Sequence, residues 1–272
     1  MDLKKFILKI NDYKPSLIIA IGGGAVLDLA KVSNSLYKCK DLEDSIKKSS
    51  YELNHFCELI AIPTTAGSGA ETTSNAVIYV NKIKYSVEGK EIKPNYIIID
   101  PSLILTTSKL IAAASGMDAI AQSVESLLSK KSTEESVEHA IKSLRYLLPH
   151  YELHINKPDF ETAYKMSLGA LSAGKAINIS KTTAPHAVSY PFTSLFNISH
   201  GHSVGLFFEK FFEFNFDNLN NSQTTFDLKK RFDLIFNLFD VNNIDNLNTK
   251  IKNLKKKALL EDNLYKLNID VN

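Results

Sequence analysis

The sequence predicts an α/β fold in which a partial doubly wound parallel sheet is followed by an all-helical domain. Nearly unbroken apolar runs at 16–21 and 59–62 are typical of strands buried on both faces of a parallel sheet. Helical spacing separates these runs, which gives the β-α-β alternation of such sheets. From residue 109 most of the chain has helical apolar spacing. We therefore expect an α/β domain over 1–108 and a helical domain over 109–272.

The expected elements of the first domain follow from apolar spacing and from the residues that interrupt it. Apolar residues recur on one face of the first thirteen residues, and three glycines end the first strand. The expected elements are a helix over 1–13, a strand over 16–21, a helix over 25–37, and strands over 59–62, 75–80 and 96–99.

The second domain is predicted to be helical over 109–153, 159–177 and 203–272. The polar stretch 218–225 is expected to be a loop. The basic stretch 251–257 is interpreted as a solvated helix face.

Composition and charge exclude several classes of protein. The 272 residues are 44% hydrophobic and 23% charged, which is ordinary for a globular protein, and the net charge of +2 gives no reason to expect nucleic acid or an anionic membrane as a partner. The two cysteines, Cys39 and Cys57, form no CxxC pair, which argues against a disulfide framework or a cysteine zinc site. The apolar run near the N-terminus is too short to cross a bilayer and follows no signal-peptide pattern, so we expect a cytoplasmic protein.

The glycine run Gly22, Gly23 and Gly24 lies between a predicted buried strand and a predicted helix. Glycines let backbone N–H groups approach an anion without a Cβ in the way, and the following helix N-terminus adds partial positive charge. A pyrophosphate is the ligand that this arrangement favours, although a tight turn is the alternative. The pattern is not the GxGxxG dinucleotide fingerprint.

A second loop, PTTAGSGAETT at 63–73, also follows a predicted strand. Thr64, Thr65 and Ser68 can donate hydrogen bonds to phosphate, ribose or a carboxamide, although a Ser/Thr-rich surface loop is the alternative. Because the carboxyl ends of parallel strands meet at one edge of a sheet, we expect this loop and the glycine run to line one cofactor cleft.

Four further residues have the chemistry of a metal site. Asp118 and Gln122 are one helical turn apart and share a face, although Asp118 could instead cap a helix start. His186 and His200 lie among small residues. Two imidazoles and a carboxylate from a separate helix match a catalytic site with three protein ligands and an open position.

Together these motifs resemble the iron-containing (group III) alcohol dehydrogenases. The resemblance extends over 18–205 and consists of GGGxxxDxxK, TTxGxGxE, GxDA and an HG pair in the family's order. Within the family, the strings at 121–126, 179–190 and 200–204 are most similar to the phosphonoacetaldehyde reductase branch.

The resemblance implies an NAD- or NADP-dependent, metal-assisted aldehyde reductase, with Asp28 among the cofactor-binding residues. It implies Fe²⁺, or alternatively Zn²⁺, held by Asp118, His186 and His200. Gln122 stands where the family has a fourth ligand, a histidine. An amide oxygen is a poorer ligand than imidazole for these cations, so we expect a site with three strong ligands.

The resemblance also bears on catalysis and substrate. Tyr190 stands where the family has a second histidine of an H-x3-H pair that is often assigned to proton relay, so Tyr190 or His202 is expected to take that role. A phosphonate would need a cation, for which Lys181 is the first candidate and Lys84 the second. Lys84 is also predicted to be a cofactor-binding residue. The alternative for both lysines is a solvated surface position.

Two other functions stay open from the sequence. One is a general short-chain alcohol dehydrogenase of the same family, and the other is a non-catalytic remnant. Relative to the family, the chain is expected to be shortened at both ends, which would leave an open, apolar sheet edge. A small aldehyde or alcohol is the expected partner, and a homodimer is possible.

Overall fold

The computed structural model describes residues 3–81 and 83–269 and has a parallel sheet followed by a mostly helical part, which confirms the predicted α/β class. The N-terminal part consists of α1 (Leu3–Tyr13), β1 (Leu17–Gly22), α2 (Gly24–Ser35), α3 (Leu42–Lys47), β2 (Glu58–Pro63), β3 (Asn75–Val80), β4 (Ile83–Glu88) and β5 (Tyr96–Ile97). The C-terminal part consists of α4 (Lys109–Leu128), α5 (Glu134–Asn156), α6 (Phe160–Ser180), α7 (Ala184–Phe196), α8 (His200–Gly205), α9 (Phe208–Asp217), α10 (Leu228–Leu238) and α11 (Ile244–Lys257).

Parts of the predicted terminal helices, at residues 1–2 and 270–272, lie outside the described residues. The predicted boundary after residue 108 coincides with the start of α4, and the division into two domains stays a prediction. Within the described part of the chain, none of the helices has the length and apolar character needed to cross a membrane.

The parallel sheet has the strand order β1-β2-β5, and Ile19 pairs with Ile60 at its centre. Leu59 and Ala61 of β2 are buried in one cluster with Leu27 of α2. The expectation that β1 is buried on both faces is wrong for the described residues, because Ile19 is 55% exposed. Alternate side chains of a strand point to opposite faces, and in the described residues only one face of β1 is covered.

The predicted strand at 75–80 forms, but it does not join the parallel sheet. It is β3, and it pairs with β4 in a separate antiparallel hairpin, with Val80 opposite Ile83. These partners are three positions apart in the chain. A parallel pairing needs a crossover of a dozen or more residues, so only an antiparallel return is possible here.

The long helical stretch predicted over 109–153 is two helices, α4 and α5. The break is fixed by Thr133, which caps α5: its hydroxyl accepts from the Ser136 N–H at 3.2 Å, and its own N–H donates to the Ser136 hydroxyl at 2.9 Å. This reciprocal pair satisfies two free N–H groups at the helix start. Helix α4 is buried along most of its length and packs with α5 and α6 in the main hydrophobic cluster.

The hydroxyl-rich loop after β2 docks on α6. Gly69 has a positive φ of 62°, and a Cβ there would lie 2.3 Å from the Gly174 Cα. The Ser74 N–H also donates to the Asn178 side-chain oxygen at 2.7 Å. These contacts hold the loop between the sheet and the helical part.

Replacing Gly69 by alanine is expected to destabilise the chain by more than about 2 kcal/mol. A left-handed backbone costs an L-residue roughly 1–2 kcal/mol, and the new Cβ would overlap Gly174 as well. The free energy of unfolding in urea measures the loss. Gly23→Ala is the matched control, because a Cβ there meets nothing nearer than the Thr65 side chain at 3.5 Å. Equal unfolding free energies would contradict the described docking.

Candidate active site

A cleft of about 610 Å³ lies where the carboxyl ends of β1 and β2 face α4, α7 and α8. A volume of this size is within the usual range for small-molecule sites. The residues that were predicted to bind the cofactor and that line the cleft are Gly23, Gly24, Asp28, Thr65, Ser68 and Lys84. The predicted metal ligands that line it are Asp118, Gln122, His186 and His200. The two sets of predicted residues therefore share one cleft.

One end of the cleft is the N-terminus of α2. Gly23 is the residue before this helix, with φ −73° and ψ 179°, and a Cβ on Gly24 would lie 2.6 Å from the Ser68 hydroxyl. Backbone N–H groups at such a helix start can bind a phosphate. Gly22 and Thr64 are not among the lining residues. The Thr64 N–H donates to the Gly22 carbonyl at 3.0 Å, so the two extend the strand pairing of the sheet.

Asp28 lines the cleft, but both of its carboxylate oxygens already have protein partners. One accepts the Val77 N–H at 2.9 Å, and the other lies 3.4 Å from the ammonium of Lys31. Lys31 is fully buried and also donates to the Ala70 carbonyl at 2.8 Å and the Thr73 hydroxyl at 3.1 Å. This pair ties α2 to the hydroxyl-rich loop and to β3, and a direct contact of Asp28 with the cofactor stays a prediction.

At the other end of the cleft, Asp118, His186 and His200 converge. Each offers a ligand atom, and these atoms all lie within 4.8 Å of one another. Asp118 Oδ1 is 3.1 Å from Nε2 of His186 and 3.9 Å from Nε2 of His200. Asp118 lies in the middle of α4, which Ser108 caps, so Asp118 is not a helix cap. The three side chains are close enough to share one ion.

The convergence depends on a close approach of two helices. A Cβ on Gly201 would lie 1.9 Å from the Ala114 carbonyl oxygen and 2.8 Å from the Asp118 Cβ. Only glycine permits this approach of α8 to α4. The approach brings His200, the residue before Gly201, to Asp118.

One buried polar atom at this end of the cleft, the side-chain oxygen of Gln122, fits a cation. The Gln122 amide nitrogen donates to the Ser68 carbonyl at 3.4 Å, which assigns the other amide atom as oxygen. That oxygen is buried without a hydrogen-bond partner among the described residues. Leaving such an atom unsatisfied is costly. A carboxylate, two imidazoles and an amide oxygen are a donor set that suits Fe²⁺ or Zn²⁺.

Burial and neighbouring charges shift the pKa values of the three clustered side chains. Burial lowers the pKa of His186, but the carboxylates of Glu125 and Asp118 outweigh burial and raise that pKa to about 10. Burial also lowers the pKa of His200. For Asp118, burial opposes ionisation, but His200 and His186 together hold its pKa below the usual value. A metal ion would therefore displace a proton from His186 on binding.

Glu125 is a further residue of this site, and it received no role from the sequence although it lies in the stretch 121–126 that carries the resemblance. Its carboxylate contacts Nδ1 of His186 and also accepts the Thr183 N–H at 2.5 Å and the Thr183 hydroxyl at 2.8 Å. The signal was present in the sequence: Asp118, Gln122 and Glu125 have the spacing i, i+4, i+7 of one helix face.

Tyr190 and Lys84 meet beside the histidines. The Tyr190 ring lies parallel to the His200 ring with centroids 5.8 Å apart, and the Lys84 ammonium is 3.2 Å from the Tyr190 ring centroid. Burial raises the pKa of Tyr190 to about 12 and lowers the pKa of Lys84 to about 8. Both residues line the cleft.

The structure does not bring Lys181 or His202 to the cleft. Lys181 ends α6, and its ammonium pairs with Glu88 at 3.1 Å on the surface. His202 points to the C-terminal segment, where its Nε2 lies 2.7 Å from the Glu261 carbonyl oxygen. Of the predicted residues, Lys84 and Tyr190 are the lysine and the relay candidate that line the cleft, and the catalytic roles of Lys181 and His202 stay predictions that their positions do not favour.

Comparison with known proteins assigns the family. Residues 2–101 match the model of iron-containing alcohol dehydrogenases, and residues 112–272 match that of the C-terminal part of the Fe-containing alcohol dehydrogenase family. The chain belongs to the iron-containing alcohol dehydrogenase family.

Individual relatives support this assignment. The chain is 26% identical over 217 residues to the phosphonoacetaldehyde reductase of Streptomyces viridochromogenes, covering 76% of this chain and 55% of that protein. It is 29% identical to the aldehyde-alcohol dehydrogenase of Streptococcus pneumoniae, covering 70% of this chain and 23% of that protein. The chain thus spans about half or less of these relatives.

Solved structures share the fold. A sulfoacetaldehyde reductase from Bifidobacterium kashiwanohense, in complex with NAD⁺, superposes with a TM-score of 0.87 at 24% identity, covering 99% of this chain and 70% of that chain. An iron-containing alcohol dehydrogenase from Thermococcus thioreducens superposes with a TM-score of 0.85 at 25% identity, covering 95% of this chain and 68% of that chain.

Metal retention is expected to increase in the order Asp118→Ala, Gln122→Ala, parent and Gln122→His. Asp118→Ala removes the carboxylate ligand and is expected to abolish binding. Gln122→His replaces an amide oxygen with imidazole, a stronger donor to Fe²⁺ or Zn²⁺. Metal content after dialysis against a mild chelator measures retention, and the exposed His55→Ala is the control. Equal retention by Gln122→His and the parent would show that Gln122 does not face the metal.

Proposed function

We propose that the chain forms the nucleotide- and metal-binding part of an NAD(P)-dependent, metal-assisted aldehyde reductase. The observation that carries this proposal is that one cleft joins the helix start at Gly23 to the cluster of Asp118, His186 and His200. A hydride donor and a carbonyl-activating cation have to meet at one carbon–oxygen bond, and this cleft is the place where they can do so.

The residues of the cleft have different roles in the proposed reaction. When bound, the nicotinamide supplies the hydride and Fe²⁺ or Zn²⁺ polarises the carbonyl oxygen. The start of α2 at Gly23 binds the cofactor diphosphate through backbone N–H groups. Asp118 offsets the charge of the cation. Tyr190 lines the cleft beside His200 and is protonated at neutral pH, as its pKa of about 12 requires and as a free tyrosine also is, so it can donate a proton toward the product alcohol oxygen.

For the substrate we propose an aldehyde with an anionic group, phosphonoacetaldehyde first among them. Lys84 supports this, because it places an ammonium in the cleft next to Tyr190. The Streptomyces relative is a phosphonoacetaldehyde reductase. The same ammonium could instead contact the cofactor, as the sequence analysis also proposed.

A general short-chain alcohol dehydrogenase is the second candidate. Its support is the relative in Thermococcus barophilus, an alcohol dehydrogenase that is 29% identical over 214 residues. Under this alternative, Lys84 does not contribute to the choice of aldehyde. Both candidate functions are compatible with a homodimer.

Gly23→Ala is expected to weaken NADH or NADPH binding by tenfold or more without changing the free energy of unfolding. The new Cβ fits the free chain, with its nearest neighbours at 3.5 Å, but it occupies the space where a phosphate would meet the helix start. Titration of cofactor fluorescence measures the affinity, and urea unfolding serves as the control. Unchanged affinity would show that the cofactor does not bind at this end of the cleft.

Binding of an anionic substrate analogue is expected to weaken as the pH rises through about 8. Lys84 has a pKa lowered to about 8 by burial, so it is charged below that pH and neutral above it. The probe is 2-hydroxyethylsulfonate, whose charge is constant over this range, and equilibrium binding is measured by calorimetry. Lys84→Arg stays charged and should lose the pH dependence, whereas Lys84→Met should bind weakly at every pH.

If Lys84→Met binds the sulfonate as tightly as the parent, Lys84 does not face the anionic group. If Lys84→Met instead lowers only NADH affinity, the lysine belongs to the cofactor and the general alcohol dehydrogenase becomes the better proposal.

A further inference from the structure

We propose that Glu125 is a positioning residue that fixes both the ring of His186 and the start of the helix that carries it. Glu125 is 1% exposed and is not among the residues that line the cleft, so it stands behind His186 as seen from the cleft. It is also outside the cluster of three candidate metal ligands. The proposal rests on the metal-binding half of the proposed function.

The two ring nitrogens of His186 face different carboxylates. Nδ1 contacts the Glu125 carboxylate, and Nε2 lies 3.1 Å from Asp118 Oδ1 on the opposite side of the ring. A carboxylate can only accept, so Glu125 holds the proton on Nδ1. Nε2 is then the nitrogen left to bind a cation, and a carboxylate behind a histidine makes that nitrogen a better donor.

The other carboxylate oxygen of Glu125 holds the start of α7. It accepts the backbone N–H and the hydroxyl of Thr183, the residue immediately before α7, whose own side chain makes no capping hydrogen bond. A negative charge at a helix start is favourable because of the free N–H groups there. One buried carboxylate on α4 therefore fixes the position of α7 and the rotation of the His186 ring.

A glutamine at position 125 would keep the packing of the side chain but not both of its contacts. Glutamine has the same shape as glutamate but offers one acceptor oxygen and one NH₂ group, whereas this site presents donors to both oxygens. Because Thr183 presents two donors, the amide oxygen of Glu125→Gln is expected to stay with Thr183, so its NH₂ group faces His186 and the Nδ1 contact is lost. Loss of such an outer partner typically costs 10–100-fold in metal affinity.

The experiment compares parent, Glu125→Gln and Glu125→Asp with Glu209→Gln as the matched control. Glu209 is also a buried glutamate, on α9, and it pairs with Lys255 at 2.7 Å outside the cleft. The dissociation constant for Zn²⁺ is measured by competition with a chromophoric chelator. Proton NMR of chains labelled with ¹⁵N-histidine, without metal, reports the Nδ1 proton of His186 directly.

The expected result is a 10–100-fold weaker Zn²⁺ complex for Glu125→Gln, a smaller loss for Glu125→Asp and no change for Glu209→Gln. The exchange-protected Nδ1 proton should be present in the parent and absent from Glu125→Gln. Parent-like Zn²⁺ affinity in Glu125→Gln, or no such proton in the parent, would overturn the proposal. If the proton behaves as expected but the parent binds no Zn²⁺, the metal-binding half of the proposed function fails while the positioning of the ring stands.

Discussion

The close packing of α8 on α4 at Gly201 is the constraint on which the candidate metal site depends. A side chain at this position would collide with the Ala114 carbonyl oxygen at 1.9 Å, so the helices can approach this closely only through glycine. The approach brings His200 to Asp118, and Glu125 on the same α4 holds His186 from behind. A single buried helix therefore organises ligands that come from three different elements.

A second set of buried polar contacts organises the cofactor end of the cleft. The Lys31 ammonium donates hydrogen bonds to the hydroxyl-rich loop, and the Asp28 carboxylate accepts a backbone N–H of β3. Because β3 pairs with β4, the same contacts position Lys84 over the ring of Tyr190. The two ends of the cleft thus meet at Tyr190, which stacks on His200.

The sequence was sufficient for the fold class and for most of the cleft, because buried strands, glycine runs and ligand-type side chains leave local patterns. It was insufficient where partners are distant in the chain. The β3–β4 hairpin was missed for a different reason: its second strand alternates apolar and polar residues from Ile83 to Glu88, a strand signal that the search for continuous apolar runs does not detect. Lys181 and His202 were placed by proximity to motifs, whereas their directions depend on Glu88 and Glu261, 93 and 59 residues away.

A crystal structure of the chain grown with Zn²⁺ and NAD⁺, with data collected at the zinc absorption edge, would show whether one cleft holds both the metal and the cofactor. We expect one anomalous peak in contact with Asp118, His186 and His200, and the cofactor diphosphate against Gly23 and Gly24 in the same cleft. A zinc peak elsewhere, or a cofactor bound away from the start of α2, would contradict this expectation.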